Sequence, residues 1–144
     1  MPIRYRIFSE SQLLVTCYEG RVTERDLLDT YEEIYGLDQY QFCRVELVDA
    51  RLKTETDYTM ASFMKLNEMT IERFGADAED LVTAVLAETT AHLGMANLYR
   101  AVTEVFGQEQ VTTFNDLGAA LDWLKVPKTE HQAVAEWLDR QICT

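Results

Sequence analysis

Asp49 and Glu88 are the residues of this chain whose type and setting come closest to chemistry. Each follows an apolar run, VELV before Asp49 and LVTAVLA before Glu88. If those runs are neighbouring strands, the two carboxylates face each other across the strand ends. A carboxylate pair can split its pKa values and serve as acid and base. His92, close in sequence to Glu88 and Thr89, stands where a general base could work. The partners such chemistry needs are missing. Serine occurs only as Ser9, Ser11 and Ser62, none of them following a strand as an activated nucleophile does, and there is no G-x-S-x-G, H-E-x-x-H or glycine-rich phosphate loop. Arg51, two residues beyond Asp49, equally makes a structural ion pair with it, and Asp116 reads as a helix cap. The expectation is a protein without catalytic residues, metal or cofactor.

These side chains must be positioned by strands and helices that the pattern marks in turn. Ile3–Phe8 alternates as a half-exposed strand, and Leu13–Tyr18 (LLVTCY) reads as a strand covered on both faces, ended by Gly20. Thr23 with Asp26 forms a capping box for a helix carrying Leu27, Tyr31 and Ile34, stopped at Gly36. Val45–Ala50 is a third strand, followed by a polar loop and by a helix from Asp57 to Phe74 with Met60, Phe63, Met64, Ile71 and Phe74 on its apolar face. Leu81–Ala87 is a fourth strand, and Ala91, Met95, Leu98 and Val102 mark a helix closed by Gly107. A short strand Gln110–Phe114 and a helix capped by Asp116 complete the domain. After Pro127, a capping box at Thr129 and Gln132 opens an amphipathic tail helix with Val134, Trp137, Leu138 and Ile142 on one stripe, packing on the domain or on another subunit. The fold class is therefore α/β: a single-domain, mostly parallel five-stranded sheet with an antiparallel edge strand and helices on it. Residues 1–126 form the domain and 127–144 a C-terminal helical extension.

Composition narrows the function. A chain of 144 residues, 47% hydrophobic, buries a full core. The net charge of −12 disfavours nucleic acid and anionic membranes as partners. No apolar run reaches the ~20 residues of a membrane span, and the start MPIRYRIFSESQ has no signal-peptide core, which points to the cytoplasm. Cys17, Cys43 and Cys143 are too few and too scattered for a disulfide framework or a zinc site. Glu19 to Asp38 holds seven acids and two bases, a solvated face or a docking face for a basic partner.

In that order of elements sit four segments: GRVTERDLL at Gly20–Leu28, VDAR at Val48–Arg51, LGMANLY at Leu93–Tyr99 and VTTFNDLGAALDWL at Val111–Leu124. Together they make residues 3–125 resemble the SpoIIAA-like fold of STAS domains, related in architecture to CRAL-TRIO lipid-binding modules. The resemblance implies a binding or regulatory protein. STAS anti-sigma-factor antagonists carry a phosphorylated serine in a D-S-S-G turn, which falls here on Asp57-Tyr58-Thr59-Met60. The aspartate is present, Tyr58 stands at the acceptor position, and Thr59 is the one hydroxyl-bearing Ser or Thr of the turn.

The strand-end edge is then the expected binding surface, with Asp49, Arg51, Asp57, Thr59, Glu88, Thr89, His92 and Asn115 on it. The expected function is a non-enzymatic module acting through a protein partner or as a homodimer. The alternative is a carrier of a small apolar or lipid-like ligand held by methionine-rich helices, and the outsider is an enzyme using Asp49, Glu88 or His92.

Overall fold

The computed structural model describes residues 2–75, 81–88 and 110–142. Five strands form one sheet in the order β1-β2-β3-β4-β5: Ile3–Phe8, Leu13–Thr23, Val45–Asp57, Val82–Leu86 and Gln110–Phe114. β1 runs antiparallel to β2, with Ile3 opposite Tyr18 and Phe8 opposite Leu13. The pairs β2–β3, β3–β4 and β4–β5 are parallel. This is the expected α/β class, a mostly parallel sheet with one antiparallel edge strand. The helix expected over 91–106 lies outside the described residues, as do Thr89, His92 and Cys143.

Because the parallel strands follow one another in space as in sequence, right-handed crossovers place their connecting helices on the same face. α1 (Glu24–Tyr35) and α2 (Met60–Phe74) do share one face. There Leu27, Tyr31, Ile34, Phe63, Leu66 and Phe74 meet Ile3, Leu14, Tyr18 and Val48 of the sheet. α3 (Leu117–Trp123) and α4 (Lys128–Ile142) cover the other face, where Ala120, Leu121, Leu124, Val134 and Leu138 meet Phe8, Leu13, Val15, Cys17 and Leu47. Both faces of β2 are thus covered, which its unbroken LLVTCY run requires. Phe8, on the face of β1 that also carries Arg4 and Arg6, is buried beneath this second layer.

α1 begins as its residues dictate: the Asp26 amide donates to the Thr23 hydroxyl at 3.1 Å and the Thr23 amide to the Asp26 carboxylate at 3.0 Å. The Ala119 amide donates to Asp116 at 2.8 Å, so that aspartate caps α3. α4 differs at its start. It begins at Lys128, and the Gln132 amide donates forward to Glu136 instead of back to a cap.

The larger departures lie in β2, β3 and α2. Gly20 does not end β2; it sits inside the strand at φ +65°, where the register with β3 shifts, and the strand continues to Thr23. β3 does not stop at Ala50 but runs to Asp57, pairing Gly20 with Lys53, Val22 with Thr56 and Thr23 with Asp57. The polar stretch looked like a loop because its composition lacks an apolar alternation. A second extended segment alongside supplies the ladder, and the backbone needs nothing more. α2 consequently starts at Met60, not Asp57. Its buried side consists of Ser62, Phe63, Leu66, Asn67, Thr70 and Phe74, while Met60 and Met64 are 45% and 38% exposed.

Candidate recognition site at the strand ends

Asp49 is 2% exposed and sits where β4 ends, opposite Leu86. Burial of a carboxylate there requires compensation. Arg51 supplies it: Nε donates to Oδ1 at 3.0 Å, Nη2 to Oδ2 at 2.9 Å, and the Arg51 amide to Oδ1 at 3.0 Å. Two residues apart in one extended strand, the side chains of residues 49 and 51 lie on the same face. Glu88, largely exposed, reaches Arg51 Nη1 at 3.9 Å. The two carboxylates therefore meet through a guanidinium, an arrangement that fixes the strand end and leaves both oxygens of Asp49 occupied. Cys17 lies against this pair, and burial, then the Asp49 charge, pushes its thiol up to about 11. It remains a protonated core residue at neutral pH.

Farther along β3, the side chains define the junction with α2. Asp57 forms an exposed ion pair with Arg21 across the ribbon. Thr59 is the exposed N-cap of α2, its amide donating to Ser62 Oγ at 3.0 Å. The Ser62 hydroxyl donates to Glu24 Oε1 at 2.8 Å, and Lys65 Nζ lies 3.2 Å from the same oxygen. These two bonds, Ser62 first, hold the Glu24 carboxyl below its usual range. The junction is thus tied to the first turn of α1. Asn115 sits exposed in the bend after β5, beside the cap of α3.

Tyr58, between the Arg21-paired Asp57 and the Thr59 cap, is turned inward. It is 8% exposed, packs edge-on against Phe63 at 5.4 Å, and accepts a hydrogen bond from Lys53 Nζ at 2.9 Å. Burial pushes its phenol up to about 12 and lowers the Lys53 ammonium to about 8. Sequence reasoning missed Lys53, Ser62, Glu24 and Lys65. The spacing Thr59-x-x-Ser62 was the available signal, hidden by a helix start placed two residues before Thr59.

Met60 and Met64, one turn apart, stand on the exposed side of α2 immediately after this junction, the large apolar side chains exposed among the described residues. Between the sheet and α1/α2 the space is filled by rings: Tyr35 stacks on Tyr40 at 5.0 Å, and both meet the edge of Phe74. Among the described residues no group of three His, Cys, Asp or Glu is placed to hold a metal, and no helix is long and apolar enough to cross a membrane.

No protein-family model matches the chain, and no curated protein does. Among solved structures, the chain is similar to an uncharacterised protein of the DUF3478 family with a SpoIIAA-like fold from Shewanella loihica PV-4. The identity is 17%, the match covers 85% of this chain and 93% of that one, and the TM-score is 0.54. The fold of this chain is SpoIIAA-like, as the order of its segments indicated.

Proposed function

We propose that the chain is a non-enzymatic regulatory module that binds a protein partner through the surface at the junction of β3 and α2. The observation that carries this reading is the exposure of Met60 and Met64 directly beside that junction. Methionine is flexible and polarisable and adapts to a partner's surface. Around it the Arg21–Asp57 and Glu24–Lys65 pairs provide a charged rim, the layout of an apolar centre and polar edge common to interfaces. The Ser62 and Thr59 hydrogen bonds hold the backbone of the junction in place before a partner arrives, which lowers the cost of binding. Asp49, bound on both oxygens by Arg51, contributes to the rigidity of the edge rather than to proton transfer.

The test is capture of cell proteins on the immobilised full chain, followed by the same capture with Met60→Asp and Met64→Asp. Both positions are exposed, so circular dichroism should be unchanged. Loss of a specific partner with the variants is expected, and undiminished capture would refute the surface. If sizing shows a dimer that these substitutions dissociate, the partner is a second copy of the chain.

A further inference from the structure

A second surface on the same helical layer has a chemistry of its own. The C-terminal halves of α1 and α2 leave an open groove of about 350 Å³, lined by Glu32, Tyr35, Met69, Glu72 and Arg73. Its floor is half-buried Tyr35 and Met69, and its walls carry the exposed carboxylates of Glu32 and Glu72. Tyr35 is fixed there by its hydroxyl contact with Thr70 at 2.9 Å.

The last turn of α1 contains no basic residue. A helix C-terminus carries partial negative charge and is stabilised by cations, yet this one ends in Glu32 and Glu33. Glu33 faces Tyr5 of β1, leaving Glu32 to the groove. Arg73 answers only part of the deficit, with Nε donating to the Tyr35 carbonyl at 3.0 Å. Two carboxylates and a helix C-terminus thus outweigh one guanidinium over a floor of tyrosine and thioether. Local rules broken without a structural return are characteristic of functional surfaces.

We propose that this groove receives a basic segment of a partner protein, a lysine or arginine lying between Glu32 and Glu72 with a neighbouring apolar side chain on Tyr35 and Met69. The inference rests on the reading of the chain as a protein-binding module, and it uses a surface distinct from Met60 and Met64. The charge complementarity selects a basic occupant, and the floor selects one that also brings apolar area.

The test is fluorescence anisotropy on the full chain, with a labelled peptide of alternating lysine and leucine and its glutamate–leucine counterpart. Saturable binding of the lysine peptide alone is expected. Glu32→Lys or Glu72→Lys should weaken it roughly five- to tenfold, while Glu32→Lys raises the melting temperature, because the new cation sits at the end of α1. Glu136→Lys, on the exposed side of α4, is the control and should change binding by less than about twofold. An equal loss with Glu136→Lys would reduce the effect to net charge and overturn the proposal, as would no loss with Glu32→Lys. Met60→Asp separates the two readings. Peptide binding that survives it, where partner capture does not, leaves both standing. Peptide binding lost with Met60→Asp and kept with Glu32→Lys would place the peptide at the junction and refute the groove.

Discussion

Lys53 shows what a single residue costs and what it holds. Its side chain is 5% exposed, and burial brings its pKa to about 8 from the ordinary 10.5. Below pH 8 both folded and unfolded chains carry the proton, and the burial penalty is fully present. Above pH 8 the folded state releases it while the unfolded state keeps it, so stability rises with pH. From about pH 10 upward the Tyr58 phenol, raised to about 12 in the folded state, reverses the trend, since the unfolded chain then ionises first. The thiols of Cys17, raised to about 11, and Cys43, also raised, oppose this from about pH 9 upward, so the Lys53 contribution is read as a difference: in urea denaturation from pH 8 to 10 the wild type should gain up to roughly 3 kcal/mol relative to Lys53→Met. Parallel pH profiles for the two proteins would place the ammonium in a more hydrated setting. Lys53 also explains why Tyr58 could not be read as a buried residue. The sequence places it in a polar turn, and only the three-dimensional contact with Lys53 and Phe63 draws it inward.

At the scale of elements, two glycines separate backbone effects from packing. Gly20 lies at φ +65° with open space around the position of a Cβ. The cost of Gly20→Ala is therefore conformational, about 1 kcal/mol. Gly118 sits in the first turn of α3, where an added Cβ would lie 3.4 Å from the Asp116 carboxylate, and its backbone is helical. Gly118→Ala should stabilise by roughly 0.5–1 kcal/mol through the unfolded state. Opposite signs in thermal melts are expected; the same sign for both would contradict the left-handed backbone at Gly20. The elements also mark the limit of pattern reading. β4 and β5 were legible because short apolar runs between turn signals have one reading in an α/β order. The second half of β3 was not, since its partner, the extension of β2, was itself masked by a glycine that ordinarily punctuates strands.

For the whole molecule, the decisive packing is that of α4. Val134 is fully buried and Leu138 is 1% exposed, both in the cluster that includes Phe8, Leu13, Val15 and Leu47. Arg4 of β1 donates to Gln141 of the same helix at 3.0 Å. The tail thus covers its own sheet, closing a face that α3, seven residues long, cannot cover alone. Leu138→Ala should cost about 2–5 kcal/mol, measured by urea unfolding, with the chain's oligomeric state unchanged. A loss below about 1 kcal/mol would mean that the helix is only loosely applied.

The sequence by itself determined the class of fold, because apolar periodicity, the order of elements along the chain and cap chemistry are local and each needs only its own residues. It also placed the strand-end edge and the capping residues Thr23 and Asp116. Only the tertiary structure decided which side of α2 is buried, that Arg51 lies between Asp49 and Glu88, and that Tyr58 turns inward to Lys53. Those outcomes depend on register, and register is set by pairing between segments distant in the chain, where one shifted residue exchanges the faces of a strand.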